Sequence, residues 1–149
     1  SGRVSFELRN LIRDPLDLVM ARLARCSTTE ATVPLSEQVW QNFEQVMTGA
    51  QQNGQAIDAA LSQPEDRRYI AVAEAAGLLD FFAARGVSRD QARTCLGDAA
   101  SVTAIAERST QQANELNVQR TPTFFLNGRQ LEESGWNELE PILQRAGAR

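Results

Sequence analysis

Apolar residues recur at helical spacing through most of the chain, and at strand spacing only near its two ends. Val4, Phe6 and Leu8 alternate with polar neighbours, which predicts a strand over residues 3–9. Asp14 followed by Pro15 reads as an N-cap with proline at the first helical position. Leu16, Val19, Met20, Leu23 and Cys26 then mark an amphipathic helix over residues 15–26. Residues 27–34 are polar and turn-rich and read as a loop, with Ser36 as the next N-cap. Val39, Trp40, Phe43, Val46, Met47 and Ala50 give the cleanest helical stripe in the chain. Trp40 and Phe43 could stack on a ligand, but their place inside that stripe predicts buried core.

Residues 49–54 read as a glutamine-rich helix end and turn, and residues 56–61 as a short helix. Residues 66–84 are alanine-rich and helical, with a restart near Gly77. Leu78, Leu79, Phe81 and Phe82 are too apolar for an exposed turn and are expected to be buried. Ser88 and Gln91 have the spacing of a capping box, and the helix they start carries Ala92, Cys95 and Leu96 on one face. Asp98 can cap a further helix, in which Val102, Ile105, Ala106, Ser109, Ala113 and Leu116 share a face. The last helix is marked by Trp136, Leu139, Ile142, Leu143 and Ala146. With Asn137 as its cap and Glu140 as the box partner, Pro141 falls in the first turn, where proline costs least.

Between these helices lies Gln119-Arg120-Thr121-Pro122-Thr123-Phe124-Phe125-Leu126-Asn127-Gly128-Arg129. Pro122 donates no ladder hydrogen bond, so it belongs at the start or edge of a strand. Thr123 to Leu126 suit a pleated, half-buried surface. Asn127-Gly128 tolerates positive φ at both positions, as a two-residue type I′ hairpin requires, and Arg129-Gln130-Leu131 forms the return strand. Taken alone, the segment reads as an ordinary hairpin in an α+β domain.

With 149 residues the chain fits one domain with a real core. No internal repeat or interdomain linker is visible. No apolar run approaches the ~18 residues that would span a bilayer. The chain opens on Ser1-Gly2-Arg3, and any targeting segment is expected to lie upstream or to have been removed. The net charge is −4, and no basic stripe with interleaved aromatics points to nucleic acid. All 15 basic residues are arginine and there is no histidine. A Ser-His-Asp or Cys-His nucleophile, a histidine metal site and Schiff-base chemistry are therefore excluded within this chain. No glycine-rich phosphate loop is present, and neither cofactor nor metal is expected.

Cys26 and Cys95 form no Cys-x-x-Cys, and three readings stay open on the residues alone. They are buried free thiols, a redox-active pair, or a structural disulfide. The redox reading is weakened because neither lies at a helix N-terminus, where a thiolate is stabilised.

The run Thr121-Pro122-Thr123-Phe124-Phe125-Leu126-Asn127-Gly128 between two helices resembles the cis-proline loop of thioredoxin-fold proteins. It looks most like that of the DsbA-like thiol-disulfide oxidoreductases. In that family the peptide before the proline is cis and the loop lies against an active-site Cys-x-x-Cys. The similarity extends over nearly the whole chain. Residues 1–10 resemble the strand that follows the active-site helix, although Glu7 stands where that strand is usually apolar. Asp14-Pro15-Leu16, opening a helix that ends at Cys26, resembles the start of the family's inserted helical subdomain. Thr94-Cys95-Leu96 resembles its late helix. Some members carry a second, non-catalytic disulfide between these two helices, and the resemblance implies the same for Cys26 and Cys95.

The resemblance implies an α/β, mostly helical fold. It would be an incomplete thioredoxin-like fold with an inserted α-helical subdomain, residues 1–14 and 114–149 forming the thioredoxin-like part and 15–113 the insertion. The family's first strand and Cys-x-x-Cys are not in these residues. The chain is therefore expected to be the C-terminal part of a longer oxidoreductase, with no catalytic residue of its own and no activity alone. Thr121 would offer its backbone to an extended substrate, Pro122 would hold that backbone, and Arg120 would flank the site, biasing substrate charge or remaining solvated. The implied partners are cysteine-containing protein substrates and a redox partner protein. The implied location is the periplasm or another extracytoplasmic space. Two alternatives remain: a redox-inactive thioredoxin-like binding or chaperone module, and a glutathione-dependent isomerase or transferase. Both end strands would border an empty central position in the sheet. A dimer, a bound N-terminal fragment or direct pairing of the two strands is expected to fill it.

Overall fold

Asp14 opens the first helix. Its backbone is extended and its carboxylate accepts from the Asp17 N–H at 2.8 Å, with Pro15 at the first helical position. The computed structural model describes residues 3–148. Helix α1 spans Pro15–Leu23, and Cys26 lies in the turn beyond it rather than in the helix. There follow a short 3-10 turn at Thr29–Ala31, α2 at Thr32–Gln41, α3 at Phe43–Gln52 and α4 at Gly54–Leu61. Next come α5 at Glu65–Ala75, α6 at Leu78–Ala83, α7 at Arg89–Gly97 and α8 at Ala99–Glu115. Strands β1 (Phe125–Leu126) and β2 (Arg129–Gln130) precede α9 at Trp136–Arg145. The fold is mostly helical. No helix among the described residues is long and apolar enough to cross a membrane.

The chain divides into two compact units, and the division falls inside α8. Ile12–Thr110 is helical, with α5 packed against α1, α4, α6 and α7. Leu18, Val19 and Leu23 of α1, Tyr69, Val72 and Ala73 of α5, and Ala92 and Leu96 of α7 are buried together. Gly77 takes φ 73°, a left-handed conformation that a side chain disfavours, and this turns α5 into α6. The turn delivers Leu78, Leu79, Phe81 and Phe82 to the core, as their apolar character requires. Ser109 of α8 is buried without being orphaned, because its Oγ accepts from the Ile12 N–H at 2.8 Å.

Ser1–Leu11 and Gln111–Arg149 form the second unit. Its sheet is one antiparallel pair, with Phe125 opposite Gln130 and Leu126 opposite Arg129. Asn127 and Gly128 both have positive φ, at 50° and 81°, matching the type I′ hairpin read from the sequence.

Several local expectations are corrected. The strand over residues 3–9 is not formed: these residues carry no ladder, and Val4 and Phe6 are exposed. Alternation marks a segment able to pair, but a strand exists only where a neighbour supplies hydrogen bonds, and none does among the described residues. Direct pairing of this segment with the hairpin is likewise not observed. Ser36 caps nothing, since α2 already begins at Thr32, and the Ser36 hydroxyl donates to the Thr32 carbonyl at 2.8 Å. Pro34 sits in the first turn of α2, where its missing N–H has no partner to lose.

The long stripe from Val39 to Ala50 is two helices divided at Asn42, and residues 49–54 are largely helical. Val39, Val46 and Ala50 are buried, whereas Trp40 and Phe43 are exposed and stacked on each other, so their expected burial does not hold. The capping box at Ser88 is half-formed. Ser88 accepts from the Gln91 N–H, but the Gln91 side chain turns away to Cys26. Helix α9 is capped by Gly135, ahead of the expected cap at Asn137, so Pro141 lies in its interior.

Candidate functional site

The candidate site residues lie in two places, one in each compact unit. The first is the segment between α8 and the hairpin. Helix α8 ends at Glu115; beyond it Asn117 has a positive φ of 52°, and the Val118 N–H donates to the Ala113 carbonyl at 2.8 Å. The Thr121–Pro122 peptide is cis, and both residues are exposed.

The loop is pinned on either side of that peptide. The Thr123 hydroxyl donates to the Arg120 carbonyl at 2.6 Å, spanning Thr121 and Pro122. The Arg120 guanidinium donates to the Glu132 carbonyl at 3.0 Å, tying the loop to the segment beyond the hairpin. Arg120 is exposed but not merely solvated, because one donor is committed to backbone. The main-chain N–H and carbonyl of Thr121 have no partner among the described residues. Thr123 was not singled out in the sequence; a hydroxyl three residues after Arg120 in a polar loop is the signal that would have found it.

The second place is the cysteine pair. Cys26 and Cys95 are joined by a disulfide, with Cα atoms 5.8 Å apart, and no described cysteine is free. The bond links the turn after α1 to the last part of α7. Two polar contacts run beside it. The Gln91 carboxamide donates to the Cys26 carbonyl at 2.8 Å, and the Arg22 guanidinium donates to the Cys95 carbonyl at 3.2 Å. Arg22 also lies 4.0 Å from the Asp98 carboxylate.

Electrostatic perturbation is confined to a few groups. Asp98 is held below the usual carboxylate range by hydrogen bonds from the Ser101 hydroxyl and N–H, with Arg22 as a lesser cause. Glu7 is lowered by its hydrogen bond from Arg9 and by that residue's charge. Burial is the main reason the Arg25 guanidinium is shifted down, and the charges of Arg108 and Arg22 add to it. Among the described residues no cluster of cysteine and carboxylate side chains could hold a metal ion. What the arrangement offers is an exposed, pinned backbone segment in one unit and a clamped disulfide in the other.

A family model described as thioredoxin matches residues 1–145. The chain resembles a crystal structure of a protein-disulfide isomerase from Novosphingobium aromaticivorans, with a TM-score of 0.80 and 27% sequence identity. That likeness covers 94% of this chain and 73% of the isomerase chain. No curated protein matches the chain significantly.

Proposed function

The chain belongs to the thioredoxin family, in its thiol-disulfide oxidoreductase branch, and from that premise we propose that it supplies the substrate-binding loop of a DsbA-like enzyme acting on protein cysteines. The observation that carries this reading is the state of Thr121. Its N–H and carbonyl are unpaired among the described residues and the residue is exposed, on a loop held by Thr123 on one side and by the Glu132 carbonyl on the other. A fixed backbone with a free donor and a free acceptor suits an extended polypeptide, which binds by strand addition. Fixing the loop beforehand lowers the ordering cost of that binding.

The roles divide accordingly. Thr121 pairs with substrate backbone and fixes its direction. Pro122 lacks an N–H and leaves Thr121 as the donor at that point. Arg120 places positive charge beside the bound segment while anchoring the loop. The nucleophile would be a thiolate outside these 149 residues, since both cysteines here are consumed in one disulfide. That disulfide acts structurally, holding α1 and α7 together. The helical unit is read as the inserted subdomain, and the unit carrying the hairpin as the thioredoxin-like part. A disulfide between helices also supports an oxidising, extracytoplasmic compartment.

Binding of a short extended peptide with its cysteine replaced by serine tests the reading. Calorimetry with the full chain should show saturable binding. Methylating the peptide nitrogen opposite Thr121 should weaken it by about tenfold, the order expected for one lost hydrogen bond at about 1.4 kcal/mol. Equal affinity for a series of peptides methylated at each nitrogen in turn would refute strand addition at this loop.

A further inference from the structure

Trp40 and Phe43 are the exposed large apolar side chains of the helical unit, 56% and 38% accessible. Their rings stack, with centroids 5.7 Å apart and planes inclined by 24°. The stack leaves the indole well exposed. Both residues stand at the junction of α2 and α3. Phe43 leads directly into Glu44, which lines an open groove of about 580 Å³ between α3 and α6 with Thr48, Gln52, Gly77 and Phe81. Exposed apolar side chains rimmed by polar residues are a recurrent feature of polypeptide docking surfaces.

The charge around the pair selects the occupant. Glu37 lies one helical turn before Trp40, and Glu44 follows Phe43. Both carboxylates are exposed and lack an ion pair or hydrogen bond among the described residues. The basic group that faces this surface is Arg85, and it is already engaged. Its guanidinium lies 3.6 Å from the Phe81 ring centroid and donates to the Phe81 carbonyl at 2.9 Å and to Gln38 Oε1 at 3.3 Å. An exposed indole beside two uncommitted carboxylates is complementary to a cation carried on an apolar stem. A guanidinium or ammonium gains from the ring face, and a carboxylate then completes its hydrogen bonding.

We propose that the α2–α3 junction, formed by Trp40, Phe43, Glu37 and Glu44, is a second docking surface for polypeptide, selecting segments in which basic and apolar side chains alternate. It lies in the helical unit, and its residues are separate from the Thr121 loop. The two readings therefore stand or fall independently.

Fluorescence anisotropy of a labelled short peptide alternating leucine and arginine tests it, with a leucine–glutamate peptide as counterpart. The basic peptide should bind the full chain saturably, and added salt should weaken it. Glu37→Gln and Glu44→Gln should each reduce affinity by about two- to fivefold, the effect of one exposed ion pair. Trp40→Ala should reduce it further. Circular dichroism of each variant should match the parent, since all these side chains are exposed. Equal binding of the acidic peptide, or undiminished binding to the Trp40→Ala variant, would overturn the proposal. So would concentration-dependent self-association that Trp40→Ala abolishes, because the surface would then serve a second copy of this chain.

Discussion

The Gln91 carboxamide donates a 2.8 Å hydrogen bond to the carbonyl of Cys26, 65 residues earlier in the chain. It thus bridges the two segments that the Cys26–Cys95 disulfide joins, four positions from Cys95 and one helical turn away. Gln91→Ala removes the donor and leaves a part-buried carbonyl without it. Urea unfolding of the oxidised chain should show a loss of about 1 kcal/mol, the net worth of such a bond. No change in the midpoint would show that water replaces the carboxamide at no cost.

The disulfide itself closes a loop with a sequence separation of 69. In the chain-entropy picture a loop of that size is worth about 4 kcal/mol. Replacing both cysteines by alanine should therefore lower stability by up to about that amount. Reduction with dithiothreitol should reproduce the loss, since both treatments free the same unfolded chain. A double variant as stable as the oxidised parent would mean that the clamp of Gln91 and Arg22 is sufficient alone.

The hydrophobic pattern made most of the helical unit legible. It located α1, the α5–α6 restart at Gly77, the buried Leu78–Leu79–Phe81–Phe82 run and the cap at Asp98. Those features are local: spacing and capping chemistry determine them within a few residues. What the pattern missed depends on distant neighbours. Residues 3–9 alternate well, yet no ladder forms, because pairing requires a second strand. Trp40 and Phe43 share a stripe with Val39 and Val46 but face outward, because the chain bends at Asn42. Gln91 has the capping-box position, but the carbonyl of a residue 65 positions away claims its side chain. At the loop, the Asn127-Gly128 turn could be read from residue type alone. The tie from Arg120 to Glu132 spans 12 residues and has no signature in sequence.

Stability should vary with pH through Asp98. Its folded pKa is depressed by Ser101, so its contribution is fully present above the ordinary aspartate value near about 4 and is lost as pH falls through the folded value. The carboxylate also caps α8 by accepting from the Ser101 N–H. Asp98→Asn should retain a capping acceptor while flattening the acid limb of the urea midpoint against pH. An acid limb identical in parent and variant would remove Asp98 from the account.

Pro141 lies in the interior of α9 and cannot donate to the Asn137 carbonyl. Pro141→Ala should restore that hydrogen bond and raise stability, by about 1 kcal/mol or more given proline's ~3 kcal/mol cost in a helix interior. Far-ultraviolet circular dichroism should show increased helicity at the same time. A destabilised variant would indicate that Pro141 itself is needed to seat Leu139, which is buried.

In the proposed role, Thr121 offers free main-chain groups to an extended substrate. The direct measurement is the amide resonance of Thr121 in a heteronuclear NMR titration with a short, serine-substituted substrate peptide. The Thr121 N–H should shift downfield saturably and gain protection from solvent exchange, with smaller changes at Arg120 and Thr123. A titration in which the peptide binds but the Thr121 amide neither shifts nor gains protection would contradict the account.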